Sequence, residues 1–510
     1  LSSTDSAIAP GLADLLLGVD VGTTGTKTIL STADGLVLAE SYRGYELSRP
    51  APLHVEQDAE DWWSAVVGTI RECIRDIEPA RIAAISVSAQ GGSVVAVDET
   101  GTPLAPARSW LDRRAGEEER ILADVFTRHG LYERTGWRLY SAYNCVQLLN
   151  MRTTEPALFS AARWFFSTAD FIYFRLSGLA KSDSNSAGIT QLLDVETQQW
   201  DDSILSEVGV RRSQLTELCA PGDAIGPLSS SAAEILGLPE AVVVVAGGHD
   251  QYCAALGAGV IDGGDALVSL GTAWVVLGVS PTLILDPRED FGVGPHVVPG
   301  RFGTFGSFRN GGVCLDWARS LLGGPDSPLP YERVEELVAP IPAGSSGVSF
   351  LPYFDGTNIP FWSTASAGTI LGLELRHSPG HVLHAVMEGV CFELAGVLDA
   401  SQALTPGISR IRVLGGAAQS AAWMQMLADI LDIPLEIPET SQPACVGAAI
   451  LAGVGAGLYP DASEGYRRMN IAVKTVRPDA EASAFYARHR IRHDILADRI
   501  RSAYEEIEAE

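Results

Sequence analysis

The chain has 510 residues, of which 46% are hydrophobic, 7% aromatic and 19% charged, with 52 Gly and 28 Pro. That profile is globular, and the length exceeds one ordinary core, so two domains of roughly 200 to 250 residues each are expected. Acidic residues outnumber basic ones 63 to 36 for a formal charge of −27, which disfavours extended docking on a nucleic-acid backbone or an anionic membrane but not the binding of one nucleotide.

Seven cysteines lie far apart without a C-x-x-C pair, so neither a zinc site nor a disulfide framework is indicated, and a reducing cytoplasm is the expected setting. Residues 1–14 read as a disordered leader lacking the charged-then-apolar order of a signal peptide, and no apolar run approaches the ~20 residues that span a bilayer.

Leu15 to Asp20 reads as a strand, followed by a polar turn, a second strand near Thr28 to Ser31, a turn at Ala33 to Gly35 and a third strand. Between the first two, Asp20-Val21-Gly22-Thr23-Thr24-Gly25-Thr26-Lys27 is not a P-loop: Thr26 stands where Gly must precede the Lys, and a strand follows instead of a helix. Gly22 can let backbone amides face an anion while Thr23, Thr24 and Thr26 add hydroxyls and Lys27 adds charge, and Asp20 is placed to hold a hydrated Mg²⁺. The alternative is an ordinary hairpin with a polar tip.

Helical spacing of Trp62, Trp63, Val66, Val67 and Ile70 predicts a helix within Gln57 to Asp76, and Ile82 to Ser88 a buried strand. That strand delivers Gln90 and Gly91, and a later segment delivers Trp110 and Asp112. An amide, a flat ring and an acceptor for paired hydroxyls suit a polyol. Val242 to Ala246 reads as another buried strand, leading into Gly247-Gly248-His249-Asp250-Gln251. There Asp250 is either a base that accepts a proton from a substrate hydroxyl or a helix N-cap, and His249 reads as structural.

Ala266 to Ser280 repeats the strand, Gly-Thr turn, strand outline of the N-terminal hairpin, with Gly271 and Thr272 at the turn. Two related halves with a boundary near residue 262 are one reading, and chance recurrence of a common turn is the other. Ile411 to Leu414 then leads into Gly415-Gly416-Ala417-Ala418-Gln419-Ser420, where Gly416 permits a flat base to approach and Ser420 caps a helix or meets adenine. Gly447, Ala448, Ala449, Ala452 and Gly453 make a close-packing helix. Strands and helices alternate throughout, which is the α/β class.

In this order the pieces resemble the FGGY carbohydrate kinases from about residue 15 to residue 480. Gly368-Thr369-Ile370-Leu371-Gly372-Leu373, seven further residues and His381 through Glu388 fit that family's C-terminal signature. The resemblance implies two duplicated actin-like ATPase (ribonuclease H-like) domains, 15–262 and 263–510, with a catalytic cleft between them that closes on its substrates. It also implies ATP with Mg²⁺, Asp250 as general base beside Gln251, and Gly271, Thr272, Gly312, Gly416 and Ser420 at nucleotide-contacting positions.

Within the family the likeness is to xylulokinases, through Val55-Glu56-Gln57-Asp58, Trp110, Asp112 and Cys314-Leu315-Asp316-Trp317. Gly91-Gly92 departs from the Met-His of xylulokinases, which should open the sugar pocket and remove a donor, and Asn144 and Leu148 replace a Lys and a Trp. The expected activity is phosphorylation of D-xylulose to xylulose 5-phosphate by a cytoplasmic kinase, for which the resemblance allows a homodimer. Ribulose, gluconate, glycerol and erythritol stand as other acceptors, and a non-catalytic sugar sensor or an actin-like ATPase as other classes.

Overall fold

Strand Leu15–Val21 is buried along its whole length, and alternation sorts its residues between two faces. Leu15, Leu17, Val19 and Val21 enter one apolar core with Trp62, Val66, Ile70 and Phe171. The opposite face carries Leu16, Gly18 and Asp20. The computed structural model describes residues 13–354, 356, 359 and 367–509, and the chain falls into two compact units. The first runs up to Ile261 and adds Val293–Gly303 and Thr440–Ile471; the second comprises Asp262–Gly292, Thr304–Glu439 and Ala472–Glu510.

The first unit is built on a six-stranded sheet in the order Ala224–Pro227, Val243–His249, Ile82–Ala89, Leu15–Val21, Gly25–Thr32, Val37–Gly44. Its three central strands are parallel, and their carboxyl ends are in register, with Val21 opposite Ala89 and His249 opposite Ala89 on the other side. Gly22, Gln90 and Asp250 therefore emerge side by side, where open α/β sheets place their ligands.

Beneath these ends lies the helix Pro443–Gly455, which returns to this unit late in the chain. A Cβ on Gly18 would sit 2.0 Å from the Cys445 carbonyl oxygen, one on Gly257 1.9 Å from that of Pro443, and one on Gly447 1.9 Å from that of Cys253. The strand bearing Asp20, the helix Asp250–Gly257 and the helix Pro443–Gly455 thus touch backbone to backbone, which only glycine permits.

The second unit repeats the arrangement. Asp265–Leu270 pairs antiparallel with Trp274–Ser280 and parallel with Arg410–Leu414, which pairs parallel with Leu435–Pro438. That sheet continues through Phe302–Phe308 beside Trp274–Ser280 and through Val473–Val476 beside Leu435–Pro438. Both sheets share a first strand that pairs antiparallel with the second and parallel with a later strand, which in turn pairs parallel with another, so the fold is a duplicated α/β architecture. Trp274, Phe350 and Trp423 anchor the second core.

Three expectations change. Residues 1–12 lie outside the described part, but Asp14, expected in the leader, belongs to the fold, its carboxylate accepting from Arg81 Nε at 2.9 Å. Neither half is contiguous, since 293–303 and 440–471 pack with the first unit. One helix among the described residues, Pro379–Ser401, is long and apolar enough to cross a membrane, yet 78% of that window is buried in the second unit's core. Its inward Glu388 accepts from Gly344 N–H at 2.6 Å, Ser345 Oγ at 2.7 Å and Tyr486 OH at 2.8 Å, the partners a buried carboxylate requires.

Gly18→Ala is expected to destabilise the protein by about 1–3 kcal/mol because the methyl group overlaps backbone. Gly116→Ala, with nothing within 4 Å of the added carbon, should stay within about 0.5 kcal/mol. Urea unfolding followed by circular dichroism reads both, and equal effects would remove the close-contact account.

Candidate active site

The N-terminal hairpin turns through Thr23 and Thr24, closed by Gly22 N–H to Gly25 C=O at 3.0 Å. It is braced from outside by Tyr45, whose OH donates to the Gly22 carbonyl at 2.6 Å, and Tyr42, whose OH donates to that of Thr24 at 3.2 Å. Antiparallel pairing sets Lys27 directly opposite Asp20 and Thr26 opposite Val21. Thr26 is fully buried, so its hydroxyl supports the hairpin from within, whereas Thr24 is exposed at the tip.

Asp20 is nearly buried and its Oδ1 accepts from Ser88 Oγ at 2.8 Å. Burial and the nearby Asp250 carboxylate raise its pKa to about 7, against the smaller lowering effects of Ser88 and Lys27. Two carboxylates at the end of one sheet with one lysine to offset them are what a divalent cation would relieve, so Asp20 fits a Mg²⁺ ligand.

Asp250 opens the helix Asp250–Gly257, but the cap is His249, whose Nδ1 accepts from Gln251 N–H at 3.3 Å. The Asp250 carboxylate is therefore not consumed by capping, and its side chain is 27% exposed. His249 Nδ1 also lies 3.3 Å from Asp250 Oδ1, and burial holds the His249 pKa below its ordinary value. The segment is held from behind: Gly247 N–H donates to Tyr173 OH at 2.7 Å and His249 N–H to Asn185 Oδ1 at 2.8 Å.

The sugar-side residues divide. Gln90 and Gln251 each present a buried amide oxygen without a hydrogen-bond partner, which points to a ligand hydroxyl. Gln90 Nε2 donates to Gln57 Oε1 at 2.8 Å, Gln57 Nε2 to the Thr23 carbonyl at 2.9 Å, and Trp110 Nε1 to Thr23 Oγ1 at 3.0 Å. Trp110 is 42% exposed, so its ring offers a face.

Asp112 departs from its expected role. It is 0% exposed, and its oxygens accept from Val55 N–H at 2.7 Å, Arg114 N–H and Nε at 3.0 Å, Arg114 Nη2 at 2.7 Å and Gln147 Nε2 at 3.3 Å. Burial alone would raise its pKa, but Arg114 and the two backbone amides outweigh that and hold it low. Asp112 thus fixes the loop that carries Trp110, and has no free face for a sugar. Nor does Gly91 open a space: a Cβ there would sit 2.3 Å from His249 Cδ2, so the imidazole fills the room that a side chain at position 91 would take.

In the second unit, the Gly271 and Thr272 carbonyls accept from Gly312 and Val313 N–H, each at 3.2 Å. A Cβ on Gly312 would lie 2.5 Å from the Gly271 oxygen, and Gly415, at φ 101°, lies as close to Leu270. Hairpin tip, helix start and the Gly415-Gly416 turn therefore converge, and Gly416 has open space above its Cα. Ser420 caps the helix Ala421–Leu431, accepting from Trp423 N–H at 3.1 Å and donating its proton to Glu335 Oε1. That proton is committed to Glu335 and is not offered to adenine.

Ser88, Gln57, Tyr45, Tyr173 and Asn185 were not singled out as site residues. Ser88 had a signal, since it faces Asp20 across the parallel register; the others meet the site only through the fold.

Two family models divide the chain between them: "FGGY family of carbohydrate kinases, N-terminal domain" over residues 15–257 and its C-terminal counterpart over 266–456. The chain belongs to the FGGY family of carbohydrate kinases. It is 29% identical to a xylulose kinase of Bacillus subtilis over 473 residues, 92% of each chain. A gluconokinase of the same organism is 28% identical over 460 residues, 87% of each. The structure superposes on gluconate kinase from Lactobacillus acidophilus with a TM-score of 0.89 at 25% identity, covering 97% of this chain and 99% of that one. The protein is thus a phosphotransferase acting on an alcohol group of a small carbohydrate, and ATP use comes with the family.

The Asp20 environment makes a testable statement about this kinase. Folded Asp20 keeps its proton up to about pH 7, whereas a freely solvated Asp releases it near 3.8. Between these values the folded state binds more protons, so stability falls as pH rises through the window and levels off above it. Asp170 and Asp183, raised to about 6 and about 7 chiefly by burial, add to the slope. In ligand-free Asp20→Asn the loss of stability from pH 4 to 7 should be smaller than in wild type; an unchanged slope in urea titrations would rule out a raised Asp20 pKa.

Proposed function

We propose that the kinase phosphorylates D-xylulose to xylulose 5-phosphate, with Asp250 as the general base. The observation that carries the chemistry is the placement of Gly22, Gln90 and Asp250 at three adjacent strand ends, with Asp250 uncapped and accessible. Gln90, Gln251 and Trp110 receive the sugar, their unpartnered amide oxygens accepting its hydroxyls while the indole covers its carbon skeleton. Asp250 takes the proton of the attacking hydroxyl as the phosphoryl group transfers.

Gly22, Thr23, Thr24 and Lys27 face the phosphates. Gly271, Thr272, Gly312 and Gly416 present backbone to the nucleotide. A Mg²⁺ held through Asp20 supplies positive charge to the phosphates when bound. His249, kept neutral by burial, leaves Asp250 as the ionisable partner of the substrate hydroxyl.

Gluconate is the second acceptor to weigh, because a gluconokinase matches the chain nearly as well as a xylulose kinase. Coupled ADP release with ATP and Mg²⁺ across xylulose, ribulose, gluconate, glycerol and erythritol decides between them. Xylulose should give the highest kcat/KM; a preference for another acceptor replaces it, and turnover that ignores sugar would refute the reading. Asp250→Asn should lose about 10²- to 10⁴-fold in kcat while still binding both substrates.

A further inference from the structure

Gln57 was assigned to neither the sugar nor the phosphates, yet it lies between them. It is 2% exposed, at the end of the short strand Glu56–Gln57 that pairs with Ala107–Arg108. Its amide is used at both ends, accepting from Gln90 and donating to the Thr23 carbonyl. A second route reaches the same residue, since Trp110 Nε1–H donates to Thr23 Oγ1. The two routes share a platform: Ser109 N–H donates to the Val55 carbonyl at 2.9 Å, and Val55 N–H to Asp112 at 2.7 Å.

We infer that Gln57 and Trp110 couple sugar binding to the phosphate hairpin, so that a sugar held by Gln90 and Trp110 fixes Thr23 in the geometry that receives the phosphates. The inference rests on the kinase reading above. Gln90 Oε1 has no partner, and an amide that accepts at its oxygen becomes a better donor at its nitrogen. A sugar hydroxyl on that oxygen therefore strengthens the Gln90–Gln57 bond and, through Gln57, the bond to Thr23. Along the second route, a hydroxyl that accepts from Trp110 turns its own proton away from the indole, toward a phosphate oxygen. Gln57 is a positioning residue in this account, and Thr23 is the point where both routes end.

Coupling of this kind is reciprocal: sugar tightens nucleotide by the same factor as nucleotide tightens sugar. The test is calorimetric titration of a non-hydrolysable ATP analogue with Mg²⁺, with and without the sugar that the turnover panel selects. In wild type the sugar should lower the Kd about fivefold or more. Gln57→Met, which keeps length and neutrality but bonds to neither partner, should reduce that ratio by at least half. Thr23→Val and Trp110→Phe should each reduce it as well, and their combination should do no more than either alone, because both delete one bond.

Thr23→Val lies at a hairpin tip and keeps the test open should Gln57→Met fail to fold. Variants that weaken both ligands while preserving the ratio would show Gln57 and Trp110 to be structural only, and would overturn the coupling. A wild-type ratio near one with a sugar that is phosphorylated would overturn the coupling alone. Absence of any phosphorylated sugar would overturn the substrate reading and the coupling with it.

Discussion

Backbone contact at three glycines is the constraint on which the first unit of this kinase depends. Gly18, Gly257 and Gly447 let a strand and two helices approach until carbonyl oxygens occupy the places of side chains. The spacing between the Asp20 strand and the Asp250 helix is then set by backbone atoms, which have far less freedom than side chains to adjust. Precise placement of two acidic groups follows without any covalent or ionic tie between them.

That placement carries an energetic cost which the unit accepts. Asp20, Asp170 and Asp183 all have raised pKa values, and burial is the first cause of each. Asp183 is hydrogen-bonded by Tyr173 OH at 3.1 Å, and Tyr173 in turn receives Gly247 N–H, so one buried acid supports the strand end that leads to Asp250. Buried polar networks of this type rigidify a site when every member is partnered. Asp112 is the fully partnered example, whereas Gln90 and Gln251 each leave one amide oxygen unpartnered.

Much of the fold was legible in the chain because its signals are local. The alternation of Leu15 to Asp20, the Thr-rich turn and the strand before Asp250 each declare themselves within about ten residues. Residue types suited to sugar and phosphate chemistry could be picked out the same way.

What stayed hidden depends on partners far along the chain. Asp112 has the chemistry of a sugar ligand until Val55, Arg114 and Gln147 surround it. The sequence leaves a gap at Gly91 until His249, 158 positions later by the numbering, lays its ring there. Ser420 offers a proton until Glu335 accepts it. Gln57 carries no motif of its own, and its position between Gln90 and Thr23 exists only once three separate segments have met. The apolar length of Pro379–Ser401 was missed because His384, Glu388 and Glu393 interrupt its pattern without making the helix polar overall.

The late return of residues 440–471 to the first unit has a consequence for biosynthesis. Helix Pro443–Gly455 covers Leu16 and Val245, side chains that Cβ atoms on Gly453 and Gly455 would meet at 3.1 and 2.5 Å. When residue 261 has been translated, that apolar face has no cover, and none arrives until the ribosome has added about 180 further residues. At about 5–20 residues per second this is an interval of roughly 10 to 40 seconds. During it the nascent first unit presents an uncovered apolar face, and it is completed only after most of the second unit has been made.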